Sequence, residues 1–256
     1  MNIINNIIKT ELEFPKLFTH FVCKEYGTLF FNENNKFSYD SNHAILYPDK
    51  IDDLDSVLEE ISKFYLQKGI TPRIYHPYIN GFLHQNRQFF LNRGYEIEMY
   101  DNCQYMLLTD ENKISVSERL TIKRLRKWDE RIATEIFLPN DKEYSIDVIK
   151  ESMENEKYYL FVGFLDDVAV TVASLSYSDN GCARLDEVET SINYRNNGYS
   201  RQLINHLVEY HKENSNDIFY LWAENPTAIK IYTEAGFTLM PTQYEAWSAV
   251  YSSNYH

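Results

Sequence analysis

The chain has few of the residues that cross-link small secreted domains or bind metal ions. It contains three cysteines, Cys23, Cys103 and Cys182, which lie far apart and form no Cys-x-x-Cys pair. Such a set suggests neither a disulfide framework nor a zinc site, so we expect three reduced cysteines. The seven histidines form no His-x-x-His or His-Glu-x-x-His pattern. We therefore expect no metal.

Long apolar runs and low-complexity tracts are also lacking. No run reaches the roughly 18 apolar residues that a membrane-spanning helix needs. The N-terminus, which has Asn2, Asn5, Asn6 and Lys9, lacks the apolar core of a signal peptide. With 44% apolar and 15% aromatic residues the chain has enough material for packed cores. We expect a soluble cytoplasmic protein that does not associate with a membrane.

Basic residues are outnumbered, with 25 Lys and Arg against 38 Asp and Glu and a formal net charge of −13. This charge disfavours nucleic acid as a partner, because binding to a phosphate backbone depends on Lys and Arg. It mildly favours a cationic partner. The chain has 256 residues, more than a single domain of about 100 to 200 residues needs, so we expect two domains.

A segment near the C-terminus has the features of an anion-binding loop. A basic residue and a small-residue turn lead directly into a predicted helix, where backbone N–H groups and the helix dipole attract a phosphate. The helix is indicated by apolar residues at helical spacing, which include Leu203, Ile204, Leu207 and Val208. The loop itself reads Arg195-Asn196-Asn197-Gly198-Tyr199-Ser200.

The elements after this helix fit a central strand and a second short helix. The run Ile218–Ala223 is apolar on both faces, as expected of a strand in the middle of a sheet. Asn225 suits an N-cap, Pro226 suits the first helical position, and Gly236 suits a left-handed helix end.

These residues resemble the signatures of the GNAT acetyltransferase superfamily over about residues 120–251. The first signature, Gln/Arg-x-x-Gly-x-Gly/Ala, is matched at Arg195 and Gly198, with Ser200 where the family prefers Gly or Ala. The resemblance implies acetyl-CoA as cosubstrate, with no metal. The second signature, Asn-x-x-Ala-x-x-x-Tyr-x-x-x-Gly-Phe, is matched at Asn225, Ala228, Tyr232, Gly236 and Phe237.

The fold expected for this half is α/β (α+β), a mixed, mostly antiparallel central sheet with helices on both faces. Helices are expected around 129–137 and 145–155. Asn180-Gly181 between two apolar runs indicates a hairpin. The expected strands are Thr121–Leu125, Tyr158–Leu165, Val168–Tyr177 and Cys182–Thr190.

The N-terminal half repeats this order of elements. The segment 88–95 aligns with 230–237, with Phe90 in the place of Tyr232. The loop Pro48–Asp53 has three aspartates and no glycine, which would repel a pyrophosphate. This half therefore resembles a degenerate copy of the same fold; an unrelated α/β domain is the alternative. Predicted strands are 42–47, 70–76 and 96–108, and the predicted helices are 51–68 and 82–92.

We place the domains at residues 1–112, the degenerate GNAT-like unit, and 117–256, the acetyltransferase domain. Residues 108–117 are the expected linker.

The strand before the anion-binding loop carries the candidates for a catalytic base, which must take a proton from an amine of pKa near about 10. They are Asp186, Glu187 and Glu189, and the sequence does not choose among them. Strand alternation would place Asp186, Val188 and Thr190 on one face and Glu187 and Glu189 on the other. The alternative is that these acids only face solvent.

By resemblance, Tyr232 assists the leaving thiolate of CoA; packing at the core rim is the alternative role for this tyrosine. Backbone N–H groups around Val188 to Thr190 are expected to polarise the carbonyl. The expected set of cofactor-binding residues is Val188, Thr190, Arg195, Asn196, Asn197, Gly198, Tyr199, Ser200, Asn225 and Tyr232.

The sequence thus predicts an N-acetyltransferase that moves an acetyl group directly from acetyl-CoA to a primary amine in a ternary complex. The acceptor is a small molecule or a peptide, and a cationic acceptor fits the net charge. The alternative is an acetyl-CoA-binding sensor or scaffold without turnover. A pure interaction module is disfavoured because it has no need for a glycine where backbone must approach phosphate. A homodimer is left open.

Overall fold

The computed structural model describes residues 3–100, 102–115 and 118–252. These form two compact units, and each combines two stretches of chain. The C-terminal unit comprises residues 1–10 and 104–242, and the N-terminal unit comprises residues 11–103 and 243–256. The units thus change at 103/104 and 242/243, whereas the sequence placed one boundary between 112 and 117. Residues 116 and 117 of the expected linker lie outside the described residues.

Seven α-helices are assigned in the described residues. They are α1 Ile3–Glu13, α2 Leu54–Gln67, α3 Phe82–Asn92, α4 Glu130–Ile132, α5 Tyr144–Ser152, α6 Tyr199–Asn214 and α7 Pro226–Glu234. Helix α4 begins at the N-cap Asp129, whose side chain accepts the N–H of Arg131, and continues as a π-helix over Ala133–Phe137. Among the residues that the structure describes, no helix is long and apolar enough to cross a bilayer.

The N-terminal unit is built on a six-stranded sheet. The strands are β1 His20–Lys24, β2 Gly27–Phe31, β3 His43–Leu46, β4 Arg73–Tyr75, β5 Tyr95–Met99 and, from the C-terminal end of the chain, β13 Trp247–Tyr251. Their order is β1-β2-β3-β4-β13-β5. Strands β3 and β4 run parallel, with Ala44 opposite Ile74, while β13 runs antiparallel to both β4 and β5.

The C-terminal unit is built on a seven-stranded sheet. The strands are β6 Cys103–Leu108, β7 Thr121–Leu125, β8 Tyr158–Leu165, β9 Val168–Tyr177, β10 Cys182–Thr190, β11 Ile218–Trp222 and β12 Phe237–Tyr244. Their order is β12-β6-β11-β10-β9-β8-β7. Strands β10 and β11 are parallel, and the pairs β7–β8, β8–β9, β9–β10 and β6–β11 are antiparallel. The expected mixed, mostly antiparallel sheet is confirmed.

The two units share one arrangement of elements. In each, a parallel strand pair is connected by a helix: β3–α2–β4 in the N-terminal unit and β10–α6–β11 in the C-terminal unit. A second helix follows, α3 or α7, and leads to a strand at the sheet edge. Between that edge strand and the parallel pair lies a strand from elsewhere in the chain, β13 or β6. The predicted repeat of element order is confirmed.

The single strand predicted over 96–108 is wrong. Two strands occupy this stretch, β5 and β6, and they belong to different sheets. Residues suited to strands run through this stretch, so local sequence does not show where one strand ends and the next begins. The two parts pair with different distant segments: Ile97 lies opposite Ala249, whereas Leu107 lies opposite Tyr220. Local sequence does not determine which of the two sheets such a strand joins.

Each unit has its own apolar core. In the N-terminal unit Trp247 of β13 stacks on Phe82 at 6.2 Å and meets Phe90 edge-on at 5.5 Å. In the C-terminal unit the predicted apolar stripe of α6, Leu203, Ile204, Leu207 and Val208, is buried in one cluster with strand residues that include Ala183 and Leu185. This packing fixes α6 on the sheet, and with it the loop that precedes α6.

Candidate active site

A cleft opens where two parallel strands of the C-terminal sheet separate. Strands β10 and β11 pair from Cys182 opposite Ile218 to Leu185 opposite Leu221. Strand β10 then continues to Thr190 with its partners on β9, and no partner on β11 is found among the described residues. The backbone of 186–190 therefore has one edge turned away from β9 toward the opening, where its N–H and C=O groups are able to bind a ligand.

Glu187 lies at a β-bulge in this part of β10. Asp186 is opposite Ser174 but Glu189 is opposite Val172, so β10 has one residue more than β9 between these pairs. Glu187 has φ of 52°, in the left-handed region. A residue with a Cβ adopts this conformation at a cost of about 1 kcal/mol or more, and such strain concentrates at functional sites.

Because of the bulge, the alternation of strand faces that the sequence predicts for residues 186–190 is wrong. Residues that lie directly opposite each other point to the same face, and Ser174 and Val172 share a face of β9. Asp186 and Glu189 therefore share one face of the sheet, not opposite faces. Leu185 and Val188 are on the side of the core cluster that includes Tyr232.

Glu189 is held by three side chains. Its Oε2 accepts a hydrogen bond from Asn140 Nδ2 at 3.1 Å, and its Oε1 is paired with Lys142 Nζ. Arg195 Nη2 lies 3.9 Å from Oε2. Burial acts to lower the pKa of Lys142, but the hydrogen bond and charge of Glu189 outweigh it, so the pKa of Lys142 is raised. Both carboxylate oxygens are thus engaged, which suits a positioning role better than proton transfer.

Asn140 also fastens the end of β10 to the turn that follows it. Its Nδ2 donates to the carbonyl of Thr190 at 3.0 Å, and its Oδ1 accepts the N–H of Ile192 at 2.8 Å. Asn140 and Lys142 follow the π-helix, about 50 residues before the residues at the end of β10 that they contact. Neither residue is predictable from the sequence, because no local pattern marks a contact over that separation.

Asp186 and Glu187 are the other two acidic candidates. Asp186 forms an ion pair with the buried Arg184, two residues earlier on the same face of β10. Glu187 is part-exposed, and its charge helps to raise the pKa of Tyr158 above its usual value, after burial as the main cause. The carboxylates of this short stretch thus lie in an acidic neighbourhood of the cleft wall.

Tyr232 is buried on α7, with 7% of its surface exposed. Its ring meets Phe237 edge-on at 6.2 Å. The pKa of its hydroxyl is raised above the usual value, first by burial and then by the charges of Asp186 and Glu189. The phenol is therefore protonated at neutral pH, which is the form that donates a hydrogen bond.

The predicted phosphate loop, Arg195–Ser200, has the backbone of an anion cradle. Asn196 and Gly198 are left-handed, with φ of 63° and 80°. Gly198 is the N-cap of α6, and no side chain caps this helix in the described part of the chain. The first N–H groups of a helix lack intrahelical acceptors, so those of α6 suit an external anion.

Space is also left for a ligand at this loop. A Cβ at Gly198 would meet no heavy atom within 4 Å apart from its chain neighbours, among the residues that the structure describes. The backbone is therefore open to close approach. Uncapped N–H groups, left-handed turns and an open glycine together fit a pyrophosphate.

Two arginines lie at the loop, Arg195 within the first signature and Arg119 outside it. Arg195 turns back to β10, where its Nε donates to the carbonyl of Thr190 at 3.2 Å. Arg119, which no sequence motif indicates, donates from Nη2 to the carbonyl of Asn197. Its Cζ also lies 4.9 Å from the ring centroid of Tyr199. No motif includes Arg119, so its contact with the loop is seen only in the folded structure.

The second signature region has the predicted caps. Asn225 accepts the N–H groups of Thr227 and Ala228 at 2.8 and 3.4 Å. Gly236 is left-handed with φ of 97°, and a Cβ there would lie 2.5 Å from the carbonyl oxygen of Asp110. Both predictions are confirmed, and Gly236 has a further reason to be glycine. The side-chain oxygen of Asn225 is used in capping α7. Its main contribution to a ligand site is therefore to fix the start of α7 beside the cleft.

The structure thus brings the predicted site residues into one unit, on the end of strand β10 where it separates from β11, at the N-terminus of α6 and on α7. No group of three or more His, Cys, Asp or Glu side chains is arranged to hold a metal ion in the described ranges. The roles of all the predicted site residues toward a ligand remain predictions. They are Val188, Thr190, Arg195, Asn196, Asn197, Gly198, Tyr199, Ser200, Asn225 and Tyr232 for cofactor binding, and Asp186, Glu187, Glu189 and Tyr232 for catalysis.

A comparison with family models confirms the resemblance for this unit. The model of the acetyltransferase (GNAT) family matches residues 122–237. These residues form a GNAT acetyltransferase domain, and acyl transfer from an acyl-CoA is the activity that this family implies. None of the curated proteins matches the sequence.

Solved structures share the fold over most of the chain. A GCN5-related N-acetyltransferase from Kribbella flavida is 14% identical at a TM-score of 0.70, covering 100% of this chain and 98% of that one. A GCN5-related N-acetyltransferase-like protein from Streptococcus suis is 12% identical at a TM-score of 0.55, covering 97% and 100%. A tandem GNAT protein from the clavulanic acid biosynthesis pathway is 12% identical at a TM-score of 0.54, covering 81% and 75%. At these identities the likeness concerns the fold alone.

Proposed function

We propose that the protein is an acetyl-CoA-dependent N-acetyltransferase that acts on a primary amine of a small molecule or peptide. The observation that carries the proposal is the uncapped N-terminus of α6 behind an open, left-handed Gly198. The separation of β10 and β11 lies at the end of the strand that leads to this loop. When bound, acetyl-CoA supplies the thioester whose acetyl carbon the amine attacks, forming a C–N bond as the C–S bond breaks.

The residues of the C-terminal unit have distinct tasks in this proposal. The backbone of Asn196–Ser200 binds the pyrophosphate, and N–H groups of Val188 and Thr190 bind the acyl arm and its carbonyl oxygen. Asp186 or Glu187 accepts the proton that the amine loses, directly or through water. Glu189, held by Asn140 and Lys142, keeps the end of β10 in place.

Tyr232 serves the leaving sulfur. Its hydroxyl stays protonated because burial and nearby carboxylates raise its pKa, so it can donate a hydrogen bond to the thiolate as charge develops there. Direct transfer is supported by the position of Cys182, which lies fully buried at the start of β10 before the cleft opens. A thiol in that place is not accessible as an acyl carrier.

The acceptor is proposed to be cationic. The face of β10 at the cleft carries Asp186 and Glu189, with Glu187 at the bulge between them. Cations pair with Asp186 and Glu189, so the attraction of a protonated amine is proposed to come from the half-buried Glu187 and from the net charge of −13. The test is a screen of amines with acetyl-CoA, with released CoA as readout. We expect turnover with polyamines or basic peptides, and none without an amine.

A sensor or scaffold role is the second candidate. It is favoured by the engagement of Glu189 with Lys142 and of Asp186 with Arg184, because carboxylate oxygens held by a cation are less available to accept the proton of an amine. This role predicts acetyl-CoA binding without CoA release across the whole amine panel. Binding with no turnover would therefore select the sensor, and turnover would exclude it.

A further inference from the structure

We propose that Arg119 binds a phosphate group of the coenzyme A moiety at the phosphate loop. The inference rests on the proposed function and deepens it, since it names the side chain that supplies positive charge to this site. Arg119 lies outside both signatures, two residues before β7.

Arg119 is attached to the loop by its guanidinium group. Nη2 donates a hydrogen bond to the carbonyl of Asn197, and Cζ lies 4.9 Å from the ring centroid of Tyr199. Asn197 and Tyr199 flank Gly198, the residue that leaves the cradle open. The positive charge is therefore at the rim of the predicted anion site.

The backbone of Arg119 is fixed to the same helix. The N–H groups of Arg119 and Leu120 both donate to Gln202 Oε1 at 3.1 Å, and Gln202 Nε2 donates to the carbonyl of Leu120 at 3.3 Å. Gln202 is buried in the first turn of α6. Both ends of Arg119 are thus tied to the loop and helix that would hold the ligand, which reduces the entropy lost on binding.

The charge of Arg119 is available, whereas that of Arg195 is shared. Arg195 donates to the carbonyl of Thr190 and lies 3.9 Å from a carboxylate oxygen of Glu189. Across the described residues Arg119 pairs with no carboxylate, and its guanidinium uses one N–H on a neutral carbonyl. A guanidinium has five N–H donors, so about four remain for a phosphate.

The alternative is that Arg119 only fastens the segment before β7 to α6. A fastening role affects the stability of the protein without ligand, and it is indifferent to the phosphates of a ligand. A phosphate-binding role affects affinity, depends on salt, and depends on which phosphates the ligand carries.

The test is isothermal titration calorimetry of the full chain with CoA and with 3′-dephospho-CoA, at low and high NaCl. For Arg119→Gln we expect at least about a tenfold weaker Kd for CoA at low salt, with the melting temperature without ligand unchanged. Arg119→Lys should recover part of the loss because it keeps the charge. A loss with both ligands assigns Arg119 to the diphosphate, and a loss with CoA alone assigns it to the 3′-phosphate.

Arg124→Gln is the matched control. Arg124 is an exposed arginine on β7 that stacks on Tyr159 at 3.4 Å, so the substitution removes the same charge and a similar ring contact away from the loop. We expect its Kd values to equal those of the unaltered protein. Kd values of Arg119→Gln within twofold of the unaltered protein for both ligands would overturn the inference alone. Failure of the unaltered protein to bind CoA would contradict the proposed function and the inference with it.

Discussion

Asp53 and Gly198 occupy the same place in the two units, the N-cap of the helix that connects the parallel strands. The N-terminus of α2 is capped by a side chain, whereas that of α6 is not, among the residues that the structure describes. Asp53 Oδ1 accepts the N–H groups of Asp55 and Ser56 at 3.1 and 3.2 Å. Gly198 has no side chain and caps nothing. A carboxylate therefore fills in α2 the position that α6 leaves open for an anion.

This contrast predicts one acetyl-CoA per chain. The N-terminus of α2 is already satisfied by Asp53, and a phosphate there would be repelled by its charge. Native mass spectrometry over a range of acetyl-CoA concentrations checks the number. Two molecules bound to each chain would show that the N-terminal unit retains a site.

Tyr232→Phe is expected to lower kcat by about tenfold to a hundredfold, with little change in acetyl-CoA affinity. The substitution removes the hydroxyl that serves the leaving sulfur and keeps the ring that packs against Phe237. Steady-state kinetics and calorimetry on the same preparation separate the two effects. Equal kcat values would remove Tyr232 from the chemistry.

Glu187→Gly is expected to be more stable than Glu187→Ala. Both substitutions remove the contacts of the glutamate side chain, but glycine adopts φ of 52° without the strain of a Cβ, so its melting temperature should be the higher of the two. Turnover should fall in both variants if Glu187 is the base, and Asp186→Asn is the companion variant that tests the other candidate. A lower melting temperature for Glu187→Gly than for Glu187→Ala would contradict the account of strain at the bulge.

Lys142 and Glu189 are expected to be energetically coupled. Lys142→Met leaves a carboxylate that is 13% exposed without its nearest cation, with only Arg195, at 3.9 Å, left among the described residues, and Glu189→Gln removes the carboxylate paired with the lysine. Each substitution should lower the free energy of unfolding by about 1 to 2 kcal/mol, and the double variant should cost less than their sum. Urea denaturation of the four proteins measures the coupling. Additive losses would mean that the two side chains act independently.

Local chemistry made much of the site predictable from sequence. Asn225 and Gly236 were identified because caps depend on one or two residues, and the strands Tyr158–Leu165 and Val168–Tyr177 have the predicted bounds because turn residues punctuate them. The apolar stripe of α6 was found from its spacing alone.

Features that depend on distant pairing were not predictable. A glutamate in a sequence does not indicate a left-handed φ, so the bulge at Glu187 is not predictable. Without the bulge, Asp186 and Glu189 are wrongly assigned to opposite faces of β10. The exchange of β6 and β13 between the expected halves is equally hidden, because Leu107 and Ala249 would suit either sheet. Contacts of Arg119 and Asn140 with residues about 50 to 80 positions away in the chain need the fold itself.

The most direct test of the central claim is calorimetric titration of acetyl-CoA into the unaltered protein and two Gly198 variants. Gly198→Asp adds a negative charge at the cradle, and Gly198→Asn adds a side chain of the same shape with no charge. Among the described residues, a Cβ at this position has no heavy atom within 4 Å apart from its chain neighbours. We expect binding to the unaltered protein, a weaker but measurable affinity for Gly198→Asn, and no binding to Gly198→Asp. Equal affinities for all three proteins would show that acetyl-CoA does not bind at this helix end.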